Sequence, residues 1–397
     1  MVTLSWYDIM GSFQHIKPLG PTTLEPPVLA PVSDAPSGAV LSSPAVMSHA
    51  ASGPAAAIVA AKTNPIALWS ELLSGCAVGQ IDRRAWLMAM GGLGLTFSWG
   101  CDNALPIESN SAGAEVTGIW GKRGLSNGKF HKPRAMTVDA QGMVYVVDMT
   151  ARIQVFDAQG EYVRHWQTPI CEQGRPTGLS IDRRGRVAVA DTHYFRVLFY
   201  NSEGELQESA TIGGVHGTAP GEFGFVTDVL EDAQGNFYVS EYGASDRIQK
   251  FTASGDFLCQ WGGHGAEPGQ FERPQSISMD SKGNIWVADA CNHRLKVYRC
   301  DEDKPELLKI VGRQGEGEGE FRYPYGLTID GSDRIWIAEF GGHRIQCLDS
   351  EGKPLLSWGR PGRNPGELAN PWSIALHSDG DILIVDSGNH RIQKVRL

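Results

Sequence analysis

The 397-residue sequence has no run of 18 apolar residues, so it offers no confident helical membrane span. It also lacks the periods of collagen and of a coiled coil, which removes the fibrous classes. A basic excess is missing too: 35 Lys and Arg face 45 Asp and Glu, for a formal charge of −10. Nucleic-acid binders draw much of their affinity from neutralising phosphates, so this balance argues against a nucleic-acid partner. What is present is glycine, 48 residues of it, with ordinary hydrophobic (41%) and charged (20%) fractions. Such a chain is foldable and rich in turns, and its length suits two or three average domains or one large all-β domain.

Three segments follow one another. Residues 1–80 include Ala30 to Ala61, mostly Ala, Pro, Ser, Val and Gly, with neither strand nor helix periodicity; a disordered or spurious low-complexity extension is expected there. Residues 81–101 hold Asp82-Arg83-Arg84-Ala85-Trp86-Leu87, an apolar run to Trp99, then Gly100-Cys101. A basic pair, a short apolar run and small residues describe an export signal, although an apolar stretch of this length also suits a buried helix. The segment resembles a twin-arginine signal, with Asp82, Trp86 and Met88 departing from the family's Ser/Thr-Arg-Arg-x-Phe-Leu-Lys. That resemblance implies a periplasmic or otherwise exported protein, with Cys101 as a candidate lipid anchor to the membrane. Residues 102–114 read as a linker, and the body begins at 115.

From there the chain repeats itself. Six segments align, among them Met136 to Asp148, Ile277 to Asp289 and Ile374 to Asp386, and their closing acids stand 43, 50, 48, 50 and 47 residues apart. Each contains an Asp-x-x-Gly element or its variant between two alternating apolar stretches, which marks a hairpin because Gly accepts the positive φ of a tight turn. A third strand starts at Arg152, Arg196, Arg247, Arg294, Arg344 or Arg391, and a fourth follows turns such as Ala158-Gln-Gly160. Four antiparallel strands per unit make a propeller blade, and the expected fold is an all-β, six-bladed propeller over residues 115–397. The sixth unit stops at Leu397 after three strands, while Val116 to Gly121 matches the ends of fourth strands, so an N-terminal strand is expected to close the ring.

The motifs Pro324 to Asp330, Gly283 to Asp289 and Gly388 to Gln393 resemble those of the NHL-repeat family of six-bladed propellers. The resemblance implies a platform rather than one activity. Residues present in every blade belong to the scaffold, because a catalytic group is needed once. On that argument Asp148, Asp191, Glu241, Asp289, Glu339 and Asp386, with Arg152, Arg196, Arg247, Arg294, Arg344 and Arg391, are structural repeat positions. His293, His343 and His390 recur at equivalent turns. In blades 60° apart such positions are separated by ~10 Å or more, given ~4.8 Å between strands, so one metal cannot collect them. Cys291 and Cys300 lie at opposite ends of one strand and cannot pair, and Cys259 and Cys347 read as apolar fillers.

A site is expected where blades differ. The start of each first strand and the loop after the second fall on one face of the ring. There the candidate ligand-binding residues at the channel mouth are Arg134, Asp228, Gln275, Tyr325 and Trp372, with small residues such as Gly178, Ser276 and Gly326 beside them. Tyr325 and Trp372 alternatively pack between blades. The leading expectation is an extracytoplasmic, monomeric scaffold for a protein, peptide or small ligand, with no cofactor, no metal and no catalytic residue assigned. The alternative is a metal-dependent channel enzyme. NHL-like propellers include amidating lyases, and related propellers include lactonases. In the lyases metal-binding His residues follow Pro at the first strands, where this sequence has Arg134, Thr177, Gln275, Tyr325 and Trp372.

Overall fold

The structure, a computed structural model, describes residues 114–397 except Gly174, Ala244 and Glu302. The extension, the Arg83-Arg84 segment, Cys101 and the linker up to residue 113 lie outside the described residues. The body is a six-bladed β-propeller of four-stranded antiparallel sheets. Blades 1 to 5 begin with the strands Pro133–Val138, Gly178–Ile181, Phe225–Glu231, Pro274–Met279 and Pro324–Ile329. Blade 6 combines Pro371–Leu376, Ile382–Asp386 and Arg391–Arg396 with Glu115–Trp120, which pairs antiparallel from Glu115 against Arg396 to Trp120 against Ile392. The ring is therefore closed by backbone hydrogen bonds between the two ends of the body. The first strands touch in a closed circle and form the channel wall.

The local chemistry explains the hairpins. In blade 1 the Asp139 carboxylate accepts the N–H groups of Gln141 and Met143, and Gly142, at φ +81°, closes the turn onto the Asp139 carbonyl. Blade 5 uses Asp333 at φ +57° where the others use Gly or its equivalent. Apolar side chains then bury between blades: one cluster lies between each consecutive pair, for example Tyr145, Val147 and Ile153 with Leu179, Val189 and Leu198. Each fully buried large side chain contributes about 1.5–3 kcal/mol. Stability is thus spread around the ring. Trp120, on the closing strand, lies over Gly160 of blade 1; a Cβ there would come within 2.7 Å of the indole.

The repeated acids are wholly buried and each serves its own blade. Glu339 is typical: it accepts the Arg344 Nε–H at 2.5 Å, the Arg322 backbone N–H at 2.7 Å and the Gln346 amide at 2.7 Å. Arg344 in turn donates to the carbonyls of Glu316 and Glu320, which fastens the Gly-rich loop leading into the blade. His293, His343 and His390 sit at φ +54° to +59°, and their Nδ1 atoms accept the backbone N–H of Tyr323, Asn370 and Lys132, each in the next blade and each at 3.0 Å. They latch blade to blade. Cys347 is a buried filler, but Cys259 meets the Cys300 thiol across the junction of blades 3 and 4; that contact, with the Tyr238 hydroxyl, pulls the Cys300 thiol below its ordinary value. Sequence periodicity carries no sign of it.

Candidate functional site at the channel mouth

The channel holds a cavity of about 190 Å³ walled by residues of the first strands of all six blades. A β-bulge opens the first strand of five blades, with the register slipping at Pro133/Ala135, Val226/Asp228, Pro274/Ser276, Pro324/Gly326 and Pro371/Ser373. Bulges re-aim side chains. The residues they free are Arg134, Thr227, Gln275, Tyr325 and Trp372, so four of the sequence-derived candidates are bulge residues. The small residues beside them have a packing reason as well: a Cβ on Gly326 would lie 2.7 Å from Ser373 Cα, and one on Gly178 would lie 2.5 Å from the Thr227 carbonyl. Close approach of neighbouring strands, and not only an open mouth, demands them.

Asp228, Gln275, Tyr325 and Trp372 line the cavity, and Arg134 lies over Trp372 with its guanidinium carbon 4.8 Å from the ring centre. Two of the five are largely used up in packing. Tyr325, 5% exposed, stacks on Phe340 at 4.7 Å and meets the edge of Trp372 at 5.1 Å. Gln275, 2% exposed, accepts the Arg273 Nε–H at 2.8 Å. Packing and lining coincide here, because the aromatic wall is built from the bulge residues themselves.

Asp228 is the acid of the wall. Its Oδ2 accepts the Ser276 hydroxyl at 2.8 Å and the Ile277 N–H at 3.1 Å, both from blade 4, and its Oδ1 accepts the N–H of Val229 at 3.0 Å. A carboxylate has about four lone-pair sites, so Oδ1 keeps one free. Burial pushes its pKa up to about 6, against the pull of these hydrogen bonds.

The rim is cationic, and only part of it was singled out from the sequence. The Arg273 guanidinium sits 4.5 Å from the Tyr242 ring centre and 5.2 Å from that of Tyr325. Burial, then the charges of Arg273 and of the exposed Arg175, bring Arg134 down to about 10. Burial followed by Arg134 and Arg175 holds His193 at about 4, so this imidazole is neutral at pH 7. Arg134 Nε, His193 Nδ1 and Trp372 Nε1 are buried without a hydrogen-bond partner among the described residues. Arg175 and Arg273 precede the Pro of their first strands. The signal that would have found them is that basic residues take this position in three blades: Lys132, Arg175 and Arg273.

The model for the NHL repeat matches residues 271–298, 321–348 and 368–395, which are the cores of blades 4, 5 and 6. The chain carries NHL repeats. Its propeller is similar to those of several solved structures, all at low identity. A streptogramin B lyase shares 15% identity over 70% of this chain and 97% of its own, with a TM-score of 0.51. A putative gluconolactonase shares 16% over 72% and 92%, at 0.53. A gluconolactonase from Xanthomonas campestris shares 10% over 68% and 88%, at 0.52. These likenesses concern the fold. A comparison with curated proteins finds no match.

A resident metal, as in the metal-dependent propeller enzymes, does not fit these residues. Among the described residues no group of three or more His, Cys, Asp or Glu converges, and the positions after the first-strand prolines carry no ligating side chain of that set. The recurrent histidines point their Nδ1 atoms at backbone N–H groups of the next blade.

Proposed function

We propose that this NHL-repeat propeller takes a small molecule into its channel mouth and acts on it by proton transfer at Asp228, without a metal. The observation that carries this reading is Asp228 itself: a carboxyl group in a cavity wall, titrating near 6, with one lone pair uncommitted. A perturbed acid in a cleft is a functional-site candidate on physical grounds, and a pKa near the working pH suits a general base. The printed functions of the fold relatives, a streptogramin B lyase and gluconolactonases, supply the reaction classes to try: base-promoted elimination and lactone hydrolysis. Both need a base, so the rate should rise with pH through about 6.

The test is a panel of streptogramin B, gluconolactone and aromatic lactones bearing or lacking a carboxylate or phosphate, followed by mass spectrometry with the full-length chain and with Asp228→Asn. Turnover that rises through about pH 6 and disappears in the variant supports the reading. A second reading, a scaffold that only holds its ligand, is favoured by the bridge Asp228 makes to Ser276 and Ile277 of the neighbouring blade. Binding without conversion of any compound would select it. On the sequence of residues 81–101 we also assign the protein an extracytoplasmic location, with Cys101 as the candidate anchor; fractionation of a C-terminally tagged chain, with and without Arg83→Lys and Arg84→Lys, tests it.

A further inference from the structure

Every blade arginine of the scaffold is matched by a carboxylate: Arg152, Arg196, Arg247, Arg294, Arg344 and Arg391 lie within 4 Å of the acid of their own blade. The arginines of the mouth are not. Arg134, Arg175 and Arg273 make no ion pair among the described residues, although the first two lower the proton affinity of His193 and Arg134 is itself lowered by the other two. The repulsion falls on Arg134, whose burial raises the cost, whereas Arg273 is held up, against its burial, by Tyr325, Tyr242, Cys291 and Asp246. Asp246, the acid nearest in influence to Arg273, gives its carboxylate to the Arg273 backbone N–H and to His264 instead.

Neutral groups around these cations reinforce the asymmetry. Burial and the arginines keep the His193 ring uncharged, so it adds no further positive charge, and Trp372 Nε1 is a donor without an acceptor among the described residues. The flat side of the mouth is the Trp372, Tyr325 and Phe340 cluster. A cavity of about 190 Å³ is on the scale of the ~150 Å³ void that accepts benzene, and well under the ~300–1,000 Å³ of sites that enclose drug-sized ligands. It encloses one ring at a time.

We infer that the ligand of the channel mouth is an anion on a planar group: a carboxylate or phosphate held between Arg134, Arg175 and Arg273, with a single ring set against Trp372. The inference rests on the mouth being the working site, as proposed above, but not on any reaction there. Arginine suits this task because its planar fork binds carboxylate and phosphate in a bidentate manner and stacks on aromatic rings.

Calorimetric titration of the full-length chain with benzoate, phenyl phosphate, benzyl alcohol and inorganic phosphate tests it. The expected result is that both aromatic anions bind, that benzyl alcohol and inorganic phosphate bind at least tenfold more weakly, and that added salt weakens the anions alone. The tighter of benzoate and phenyl phosphate identifies the acidic group. Arg134→Gln should lose tenfold or more, Arg134→Lys should recover part of it, and Arg273→Gln, on a different blade, gives an independent reading should the first variant fold poorly. Equal affinity for benzyl alcohol and benzoate, or unchanged affinity in both Gln variants with an unaltered melting curve, overturns the inference. Inorganic phosphate binding as tightly as phenyl phosphate overturns its planar half. Anion binding without turnover of any lactone removes the acid–base reading and leaves this one standing; turnover of neutral lactones with no preference for anions does the reverse.

Discussion

Blades 4 to 6 and blades 1 to 3 are the same architecture built to different degrees of regularity. In blades 4, 5 and 6, where the NHL model matches, the left-handed position after the second strand is His293, His343 or His390, and each latches the backbone of the next blade. In blades 1, 2 and 3 that position is Ala151, Phe195 or Asp246. Asp246 accepts the Arg273 N–H and so copies the latch with a carboxylate; Phe195 replaces it with a ring contact to Phe225 at 6.0 Å; Ala151 has no side chain able to make one. Blade 2 also shortens its fourth strand to Ile212–Gly213. The charged residues of the mouth come from this irregular side and the adjoining edge of blade 4, whereas the aromatic wall comes from blades 5 and 6. Regular positions hold the ring together, and departures from them supply the chemistry.

The seam between the two halves is the largest test. Deleting Glu115–Trp120 strips the last blade of its outer strand and uncovers the third strand from Ile392 to Val395. Most or all of a normal domain's stability, about 5–15 kcal/mol, should go with it, so that denaturant melts lose their cooperative transition. Next in size is the buried acid of a regular blade. Glu339→Ala leaves the Arg344 guanidinium, the Arg322 N–H and the Gln346 amide without their acceptor, and breaking such a buried pair costs about 3–5 kcal/mol. Asp228→Asn keeps an acceptor at the same place, so it should cost no more than about 1–3 kcal/mol in the same urea titration while removing any turnover. If Asp228 proved as costly to stability as Glu339, and turnover survived, it would be one more scaffold acid.

The fold was legible because it is written six times: the hairpin turns, the buried acid, the Arg of the third strand and the incomplete sixth blade all stand at fixed offsets. The site was legible only in part. Arg134, Gln275, Tyr325 and Trp372 stand in the column after the first-strand Pro and Asp228 in the column after that, but a sequence pattern gives no register, so the bulges that release the first four were invisible. For the same reason the packing of Tyr325 and Gln275 was not separable from their lining of the cavity. Arg273 and Arg175 stand before the Pro, at a position whose neighbourhood to the channel mouth only the folded register reveals. The role of His293, His343 and His390 needed a partner in another blade, which no offset within one blade encodes.

Those latches predict a pH effect confined to the regular half. Burial, assisted by Arg322 at His293 and His343 and by His131 at His390, lowers all three pKa values in the folded state. The unfolded chain, with histidines near ~6.5, then binds protons first as pH falls. Their stabilisation is full above pH ~6.5 and is lost as pH drops below it through the lowered folded values. Buried acids with raised values, such as Asp191, Glu241 and Glu339, act in the opposite direction, so the wild-type melting profile is a composite. Replacing the three histidines by Asn, which accepts a hydrogen bond and tolerates a left-handed backbone but does not titrate, isolates the effect. Between pH 7 and 5 the wild type should lose up to about 1 kcal/mol per latch relative to the triple variant. Parallel profiles would mean that the N–H groups of Tyr323, Asn370 and Lys132 do not depend on neutral imidazoles.

The smallest effect on stability is expected where the irregular half is most exposed. Arg175 stands at the rim with no ion pair among the described residues, and it raises the cost of charge on Arg134 and His193. Surface substitutions of this kind stay within about 0.5 kcal/mol, so Arg175→Ala should leave the urea midpoint where it was or move it slightly upward by relieving repulsion. Its counterpart on the regular side, Arg294→Ala, removes the Nε–H that Asp289 accepts at 2.8 Å and the donor to the Ala266 carbonyl, and should cost several times more. Binding should order the pair the other way: benzoate or phenyl phosphate should weaken in Arg175→Ala and be indifferent to Arg294→Ala. Two arginines of one chain, one paired and one not, would then divide stability from recognition, and a midpoint that fell as far for Arg175 as for Arg294 would erase that division.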